Sequence, residues 1–223
     1  MAKSKTKIAY LCSACGDDFA KWNGQCPSCK EWGTLSEFKV STKKSGRRYE
    51  PRETKSLTDV LTSDSGIRIS TGLKEADRVF GGGLLSGSLI LLGGSPGVGK
   101  STLALQICSG INRKALYISA EESEEQVALR AQRLKVKPEN LFLSGENELD
   151  GIIAHIDRLK PELVVVDSIQ TVMNSGLDSL PGSPSQIRDC GQRLLEVSKQ
   201  KNVSILIVGH VTKEGTIAGP KML

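Results

Sequence analysis

The sequence predicts an α/β domain, a mostly parallel sheet flanked by helices, preceded by a small module built on four cysteines. Three observations predict it. Apolar runs of strand length at 88–92, 115–119, 163–166 and 204–208 alternate with helical stretches near 101–111, 123–135, 148–160 and 186–201. Alternation of that kind implies parallel strands joined by helical crossovers. The first run leads into Gly94-Ser95-Pro96-Gly97-Val98-Gly99-Lys100-Ser101 and then into a helix. Finally, Cys12, Cys15, Cys26 and Cys29 form two Cys-x2-Cys pairs separated by ten residues.

Length and composition bound the rest. At 223 residues and 38% hydrophobic content the chain has room for one sizeable α/β domain and an accessory module. No segment reaches the roughly eighteen consecutive apolar residues of a membrane span, and the basic start of the chain has no apolar signal core behind it. A cytoplasmic protein with reduced cysteines and no membrane partner is therefore expected. Cys108 and Cys190 fall singly in helical stretches and read as buried, inert side chains.

The formal charge of +5 is unevenly placed: residues 1–55 hold twelve Lys/Arg and six Asp/Glu, the remainder eighteen and nineteen. Lys39, Lys43, Lys44, Arg47, Arg48, Arg52 and Lys55 lie along a stretch bearing Ser, Gly and Pro. That composition describes a flexible basic linker able to approach phosphates, or in the plainer reading a solvated tether. The expected division is a zinc ribbon at 1–36, the basic linker at 37–56 and an ATPase core at 57–223.

The ribbon follows from the cysteines. Two closely spaced thiolate pairs on tight knuckles, with Gly16 and Pro27 beside them, close a tetrahedral shell around zinc and leave no position for water. Such a metal organises folding and does not catalyse. An iron-sulfur cluster or a redox dithiol is the competing use of paired cysteines. Trp22 and Trp32 are expected to cover the little core, with stacking on bases as their other use.

The glycine-rich motif matches the P-loop pattern in the right context, after a strand and before a helix. Its glycines let backbone N–H groups turn toward phosphate, and the helix terminus adds partial positive charge. Gly94, Ser95, Pro96, Gly97, Val98, Gly99, Lys100, Ser101 and Thr102 thus form the expected site for ATP. Lys100 reaches the β and γ phosphates, Ser101 supplies a hydroxyl to Mg²⁺, and Thr102 lies near the α phosphate. The run 163–166 ends in Asp167, the expected acid for Mg²⁺. Glu121 and Glu122 end the second strand; Glu121 is taken as the group that orients water, and Glu122, Glu124 and Glu125 as a helix start. His210 ends the last strand and is either a nucleotide sensor or a structural residue, and His155 reads as structural.

With those residues in view, the sequence resembles the bacterial RadA (Sms) family of DNA repair and recombination ATPases. The carriers are Cys12-Ser13-Ala14-Cys15-Gly16, then Lys21-Trp22, Gly24, Cys26-Pro27, Cys29 and Trp32, and Ser70-Thr71-Gly72 through Asp77 to Leu84 and the P-loop. Tyr117 through Ser123, Pro181 through Gln186 and Gly209 through Gly215 complete the match. The resemblance implies a RecA-like core that acts as a homo-oligomeric ring on single-stranded and branched DNA, alongside a recombinase and a replicative helicase. It implies ATP hydrolysis coupled to branch migration in recombinational repair, with Glu121 catalytic and His210 sensing. By the same resemblance 173–188 and 213–221 correspond to DNA-binding loops, in which Arg188, Lys213 and Lys221 meet phosphates. Members of that family continue into a Lys-Asn-Arg-Phe-Gly segment and a Lon-protease-like domain that do not follow Leu223, so an incomplete core is expected. For such a chain the alternative is an ATP-switched module that binds DNA or a partner with little turnover.

Overall fold

The computed structural model describes residues 6–41, 54, 56–62, 68–137, 139–177 and 179–210. They fall into two compact units, Met1–Ile67 and Arg68–Leu223. In the first, β1 (Thr6–Cys12), β2 (Asp18–Phe19) and β3 (Leu35–Ser41) pair antiparallel in the order β2-β1-β3, and α1 (Leu57–Thr62) follows. So small a sheet cannot bury much apolar surface, and its core is correspondingly made of sulfur. Cys12, Cys26 and Leu35 are buried at its centre, with Tyr10, Phe19, Cys15 and Cys29 packed against them.

The tryptophans are not part of that core. Trp22 is 60% and Trp32 73% exposed, contrary to the expectation that they cover it. The reason is geometric: the converging cysteines already occupy the centre, and Leu35, Tyr10 and Phe19 on the strands supply what cover it has.

The second unit opens with β4 (Arg68–Ile69), α2 (Lys74–Val79) and β5 (Leu84–Leu85), the two short strands pairing antiparallel. Alternating strands and helices follow: β6 (Leu89–Gly94), α3 (Lys100–Gly110), β7 (Ala115–Ser119), α4 (Glu124–Arg133), β8 (Leu141–Ser144), α5 (Leu149–Leu159), β9 (Leu163–Asp167), α6 (Pro184–Lys201) and β10 (Ser204–His210). All five long-range strands are parallel, in the order β6-β10-β9-β7-β8. This five-stranded parallel sheet flanked by helices is the RecA-like architecture expected. Four strands and four helices coincide with the expected segments, and α6 starts two residues earlier, where Ser183 caps it and Pro184 opens its first turn. The edge strand β8 was not expected: it has four residues, and its outward Phe142 is 41% exposed.

Period-two alternation divides the sheet into two faces. Val164 and Val166 of β9 and Ile205 and Ile207 of β10 pack with α5 and α6 through Leu149, Ile152, Ile156, Ile187 and Leu194. Leu163 and Val165, with Leu206 and Val208, pack instead against Ala104, Leu105, Ile107 and Cys108 of α3. Both faces are covered, which is why the central strands are continuous apolar runs. Cys108 and Cys190 are buried, as expected. Burial pushes both thiols up, Cys190 to about 12.

The loop before the sheet is tied to α2 and approaches α3 closely. Ser70 Oγ donates to Asp77 Oδ2 at 2.6 Å, and the Thr71 amide and hydroxyl donate to Asp77 Oδ1 at 2.8 and 2.7 Å. These bonds hold the Asp77 carboxyl below its ordinary range. Thr71 itself lies against the last residue of α3, where a Cβ on Gly110 would be 1.7 Å from the Thr71 carbonyl oxygen. Gly110→Ala is therefore expected to destabilise the second unit by about 3 kcal/mol, measured as a lowered denaturant midpoint. An unchanged midpoint would mean that this contact is readily given up. Among the described residues no helix is long and apolar enough to cross a membrane.

Candidate nucleotide site and metal centre

β6 ends at Gly94 and α3 begins at Lys100, so the intervening loop must reverse into a helix within five residues. Gly97 and Gly99 allow it, with φ of 78° and 99°, values that favour glycine. No side chain caps α3, and its first turn carries no acid, so its amide end is left to whatever the loop binds. Lys100 is buried, and its Nζ donates to the carbonyls of Gly94 and Ser95 at 2.8 and 2.9 Å. Ser101 and Thr102 are half-buried in the first turn.

Strand pairing carries two of the distant candidates, Asp167 and His210, and the strand end that leads to Glu121 toward this loop. Gly94 is beside His210 across β6 and β10, Val208 is beside Asp167 across β10 and β9, and Asp167 is beside Ser119 across β9 and β7. Alternation puts Gly94, His210, Asp167 and Ser119 on the same face as Leu92, Val208, Val165 and Tyr117, the face that α3 covers. Four parallel strands thus deliver their carboxyl ends to the side where α3 begins, the edge at which α/β sheets bind ligands.

Hydrogen bonds set the carboxylates. Tyr117, fully buried, donates its phenol to Asp167 Oδ2 at 2.5 Å. Burial, reinforced by the Asp167 charge, pushes that phenol far above its ordinary range, so it remains a donor. Ser168 donates its hydroxyl to Glu121 Oε1, and His210 Nε2 lies 3.1 Å from the same oxygen. His210 Nδ1 is buried without a partner among the described residues. The neighbouring carboxylates are committed elsewhere. Glu122 pairs with Arg130, its carbonyl accepts from Ser119 Oγ at 2.7 Å, and Glu124 accepts from the Gly145 amide at 2.8 Å. Ser123 caps α4 in a reciprocal box with Gln126, fixing where the loop ends and the helix starts.

Tyr117, Ser168 and Arg130 were missed in the sequence. Only Tyr117 carried a signal there, a phenol inside an otherwise aliphatic buried strand. His155 lies 3.4 Å from Ser144 Oγ and 3.1 Å from Arg158 within its own neighbourhood. Of the DNA candidates, Arg188 is half-buried in the first turns of α6, and Lys213 and Lys221 lie outside the described residues. The chain leading to α6 is pinned by buried Gln186, which accepts from the Asn174 amide at 2.8 Å and donates to the carbonyls of Asn174 and Ser179 at 3.1 and 2.9 Å.

In the first unit the four cysteine Sγ atoms all lie within 4.8 Å of one another. Cys12 Sγ lies 3.7 Å from that of Cys29, and Cys15 Sγ 3.6 Å from that of Cys26. Zinc bonded tetrahedrally to four thiolates requires edges of about 3.8 Å, so the set fits that ion. Each Cys-x2-Cys pair, Cys12 with Cys15 and Cys26 with Cys29, sits on the same knuckle, built twice. Gly16 N donates to Cys12 O and Lys30 N to Cys26 O, at 2.9 and 3.0 Å, with φ of 76° and 65° at the two donors. Cys12 N donates to Asp17 O and Cys26 N to Glu31 O, at 2.9 and 2.8 Å. Burial opposes ionisation of Cys12, but Thr34 and the backbone amides of Cys15 and Ala14 outweigh it and bring the thiol down to about 6.

Residues 51–216 match the family model described as an AAA domain. The chain belongs to the AAA domain family. Ahead of the AAA domain, residues 10–37 match a zinc-ribbon model described as a rubredoxin metal binding domain. This AAA chain is also 46% identical over 230 residues to DNA repair protein RadA of Listeria monocytogenes, covering 100% of the chain and 50% of that protein. It is 44% identical to DNA repair protein RadA of Bacillus subtilis, covering 99% and 50%, and 45% identical to that of Aquifex aeolicus, covering 98% and 50%. The resemblance to the RadA family therefore runs along the whole chain, which spans about half the length of the curated relatives it matches.

Proposed function

We propose that this AAA-domain protein is a DNA-dependent ATPase of recombinational DNA repair, coupling ATP hydrolysis to binding of single-stranded DNA and to branch migration of recombination intermediates. One observation supports the reading above all. Strand register brings Asp167, His210 and the residues leading to Glu121 to the P-loop's own sheet edge, on the face α3 covers. The names of the relatives, DNA repair proteins, supply the setting.

In this reading the amides of 94–99 and the start of α3 cradle the phosphates, and Lys100 reaches the β and γ groups. Ser101 and Asp167 hold Mg²⁺, and Thr102 lies beside the α phosphate. Bound Mg²⁺ supplies neutralisation of charge on the transferred phosphoryl group. Glu121 orients the attacking water and takes its proton. His210, in contact with the same carboxylate oxygen, reports nucleotide state to the residues after β10. Arg188, Lys213 and Lys221 meet DNA phosphates, and four thiolates hold Zn²⁺ as a structural ion. The working form is a homo-oligomeric ring in the cytoplasm, associated with the nucleoid when on DNA, with a recombinase and a replicative helicase as partners.

The test is steady-state ATP hydrolysis with and without single-stranded DNA. DNA is expected to raise turnover, and Glu121→Gln to lower it at least a hundredfold while nucleotide binding persists. Equal turnover in Glu121→Gln would remove that residue from the chemistry. The engagement of Glu121 Oε1 by Ser168 and His210 favours one second reading, an ATP-switched module binding DNA or a partner. Absence of turnover together with ATP-dependent DNA binding would select it.

A further inference from the structure

Among the described residues, the two indoles of the zinc module belong to no buried cluster. Trp22 and Trp32 are 60% and 73% exposed, and the module's core is complete without them. Yet they are not scattered. A Cβ on Gly24 would lie 3.4 Å from Trp32 Cζ3 and 3.8 Å from Trp22 Cη2, so both rings rest on the same glycine. The backbone beneath is braced. Gln25 and Trp32 form a β-bridge, Gly33 N donates to Gly24 O at 2.8 Å, and Gln25 Nε2 donates to Lys30 O at 2.9 Å. Two large aromatic surfaces are thus held ready in water by a metal-stapled scaffold.

We propose that Trp22 and Trp32 form a stacking platform for the bases of single-stranded DNA. This assigns a contact surface to the DNA reading above and rests on it. The surroundings favour a nucleic acid over a protein. A protein-docking patch needs an apolar interior, whereas Lys21, Asn23, Gln25, Lys30 and Glu31, which flank the tryptophans in sequence, are polar and exposed, and 20–34 contains no Val, Leu, Ile or Met. Base stacking needs only the ring faces, with cations nearby for the backbone. Lys21 adjoins Trp22 and Lys30 lies two residues before Trp32, and the stretch 38–49 that follows the module carries Lys39, Lys43, Lys44, Arg47 and Arg48 without one acidic residue. Such a run attracts a polyanion.

The experiment is direct, because these are the chain's only two tryptophans. The zinc-loaded chain is titrated with oligothymidylate in the absence of nucleotide while indole emission and the anisotropy of a labelled oligonucleotide are followed. Saturable quenching is expected, with an affinity that falls as salt rises. Trp22→Ala and Trp32→Ala are each expected to weaken binding about tenfold with zinc content unchanged, and Trp22→Phe and Trp32→Phe to retain most of it. Binding seen by anisotropy without any change in emission, or undiminished in the alanine variants, would overturn the platform. Should the alanine variants lose zinc, acrylamide quenching of the unaltered chain decides: DNA must shield the indoles, and unchanged access overturns the proposal. DNA-stimulated ATP turnover without quenching would discard the platform and keep the motor. Quenching without turnover would keep the platform and discard the motor.

Discussion

Lys100→Ala is expected to reduce ATP turnover by about a thousandfold, on the order of 4 kcal/mol of lost transition-state stabilisation. The size follows from where the ammonium sits. Lys100 is buried at the start of α3, and its Nζ is already held over the loop by the carbonyls of Gly94 and Ser95 at 2.8 and 2.9 Å. Its charge is thereby placed before any phosphate arrives, and a pre-placed charge costs little reorganisation during the reaction. Arginine is not a conservative exchange here, because a planar fork replaces a compact ammonium. The loop amides and the α3 terminus survive the alanine change, so some nucleotide affinity should remain while turnover collapses. Steady-state kinetics and equilibrium nucleotide binding, run together, check this. Normal turnover in the variant would mean that the P-loop is not where the chemistry occurs.

The second large effect concerns the metal. Cys26→Ser is expected to abolish stoichiometric zinc and unfold residues 6–41. A structural zinc contributes roughly 10–16 kcal/mol to the folding of a small module, whereas the apolar core here is Leu35 with Tyr10 and Phe19 at its margin. Among the described residues of that unit nothing else is large enough to replace the metal. The second unit has two hydrophobic clusters of its own and should unfold at its usual midpoint. Elemental analysis and amide exchange measure the two outcomes. Iron in the freshly purified protein, no metal at all, or a variant that keeps its protected amides would each defeat the zinc reading.

Much of the fold was legible because its signals are contiguous. The apolar runs at β6, β7, β9 and β10 read as buried strands because each is covered on both faces. The strand β8 did not, since four residues at an edge show neither a long run nor clear alternation. The sequence leaves Trp22 and Trp32 two uses, cover for the little core or stacking on bases, and favours cover because an indole is a large apolar surface. In a module whose centre is filled by four sulfurs there was no room for them.

By itself the sequence determined the local chemistry. The P-loop is a run of eight residues whose function needs only the strand before it and the helix after it, and the two Cys-x2-Cys pairs each define a knuckle within five residues. The tertiary structure alone decided which distant groups meet. Glu121 and Glu122 are adjacent and chemically identical, yet one accepts from Ser168, forty-seven residues away, and touches His210, eighty-nine away, while the other is taken by Arg130. Tyr117 reaches Asp167 across fifty residues in the same manner. The order β6-β10-β9-β7-β8 and its register create those meetings. A parallel strand's apolar run says that it is buried and not which strand it lies beside, because aliphatic side chains attract any apolar neighbour, and only packing the whole sheet selects one pairing.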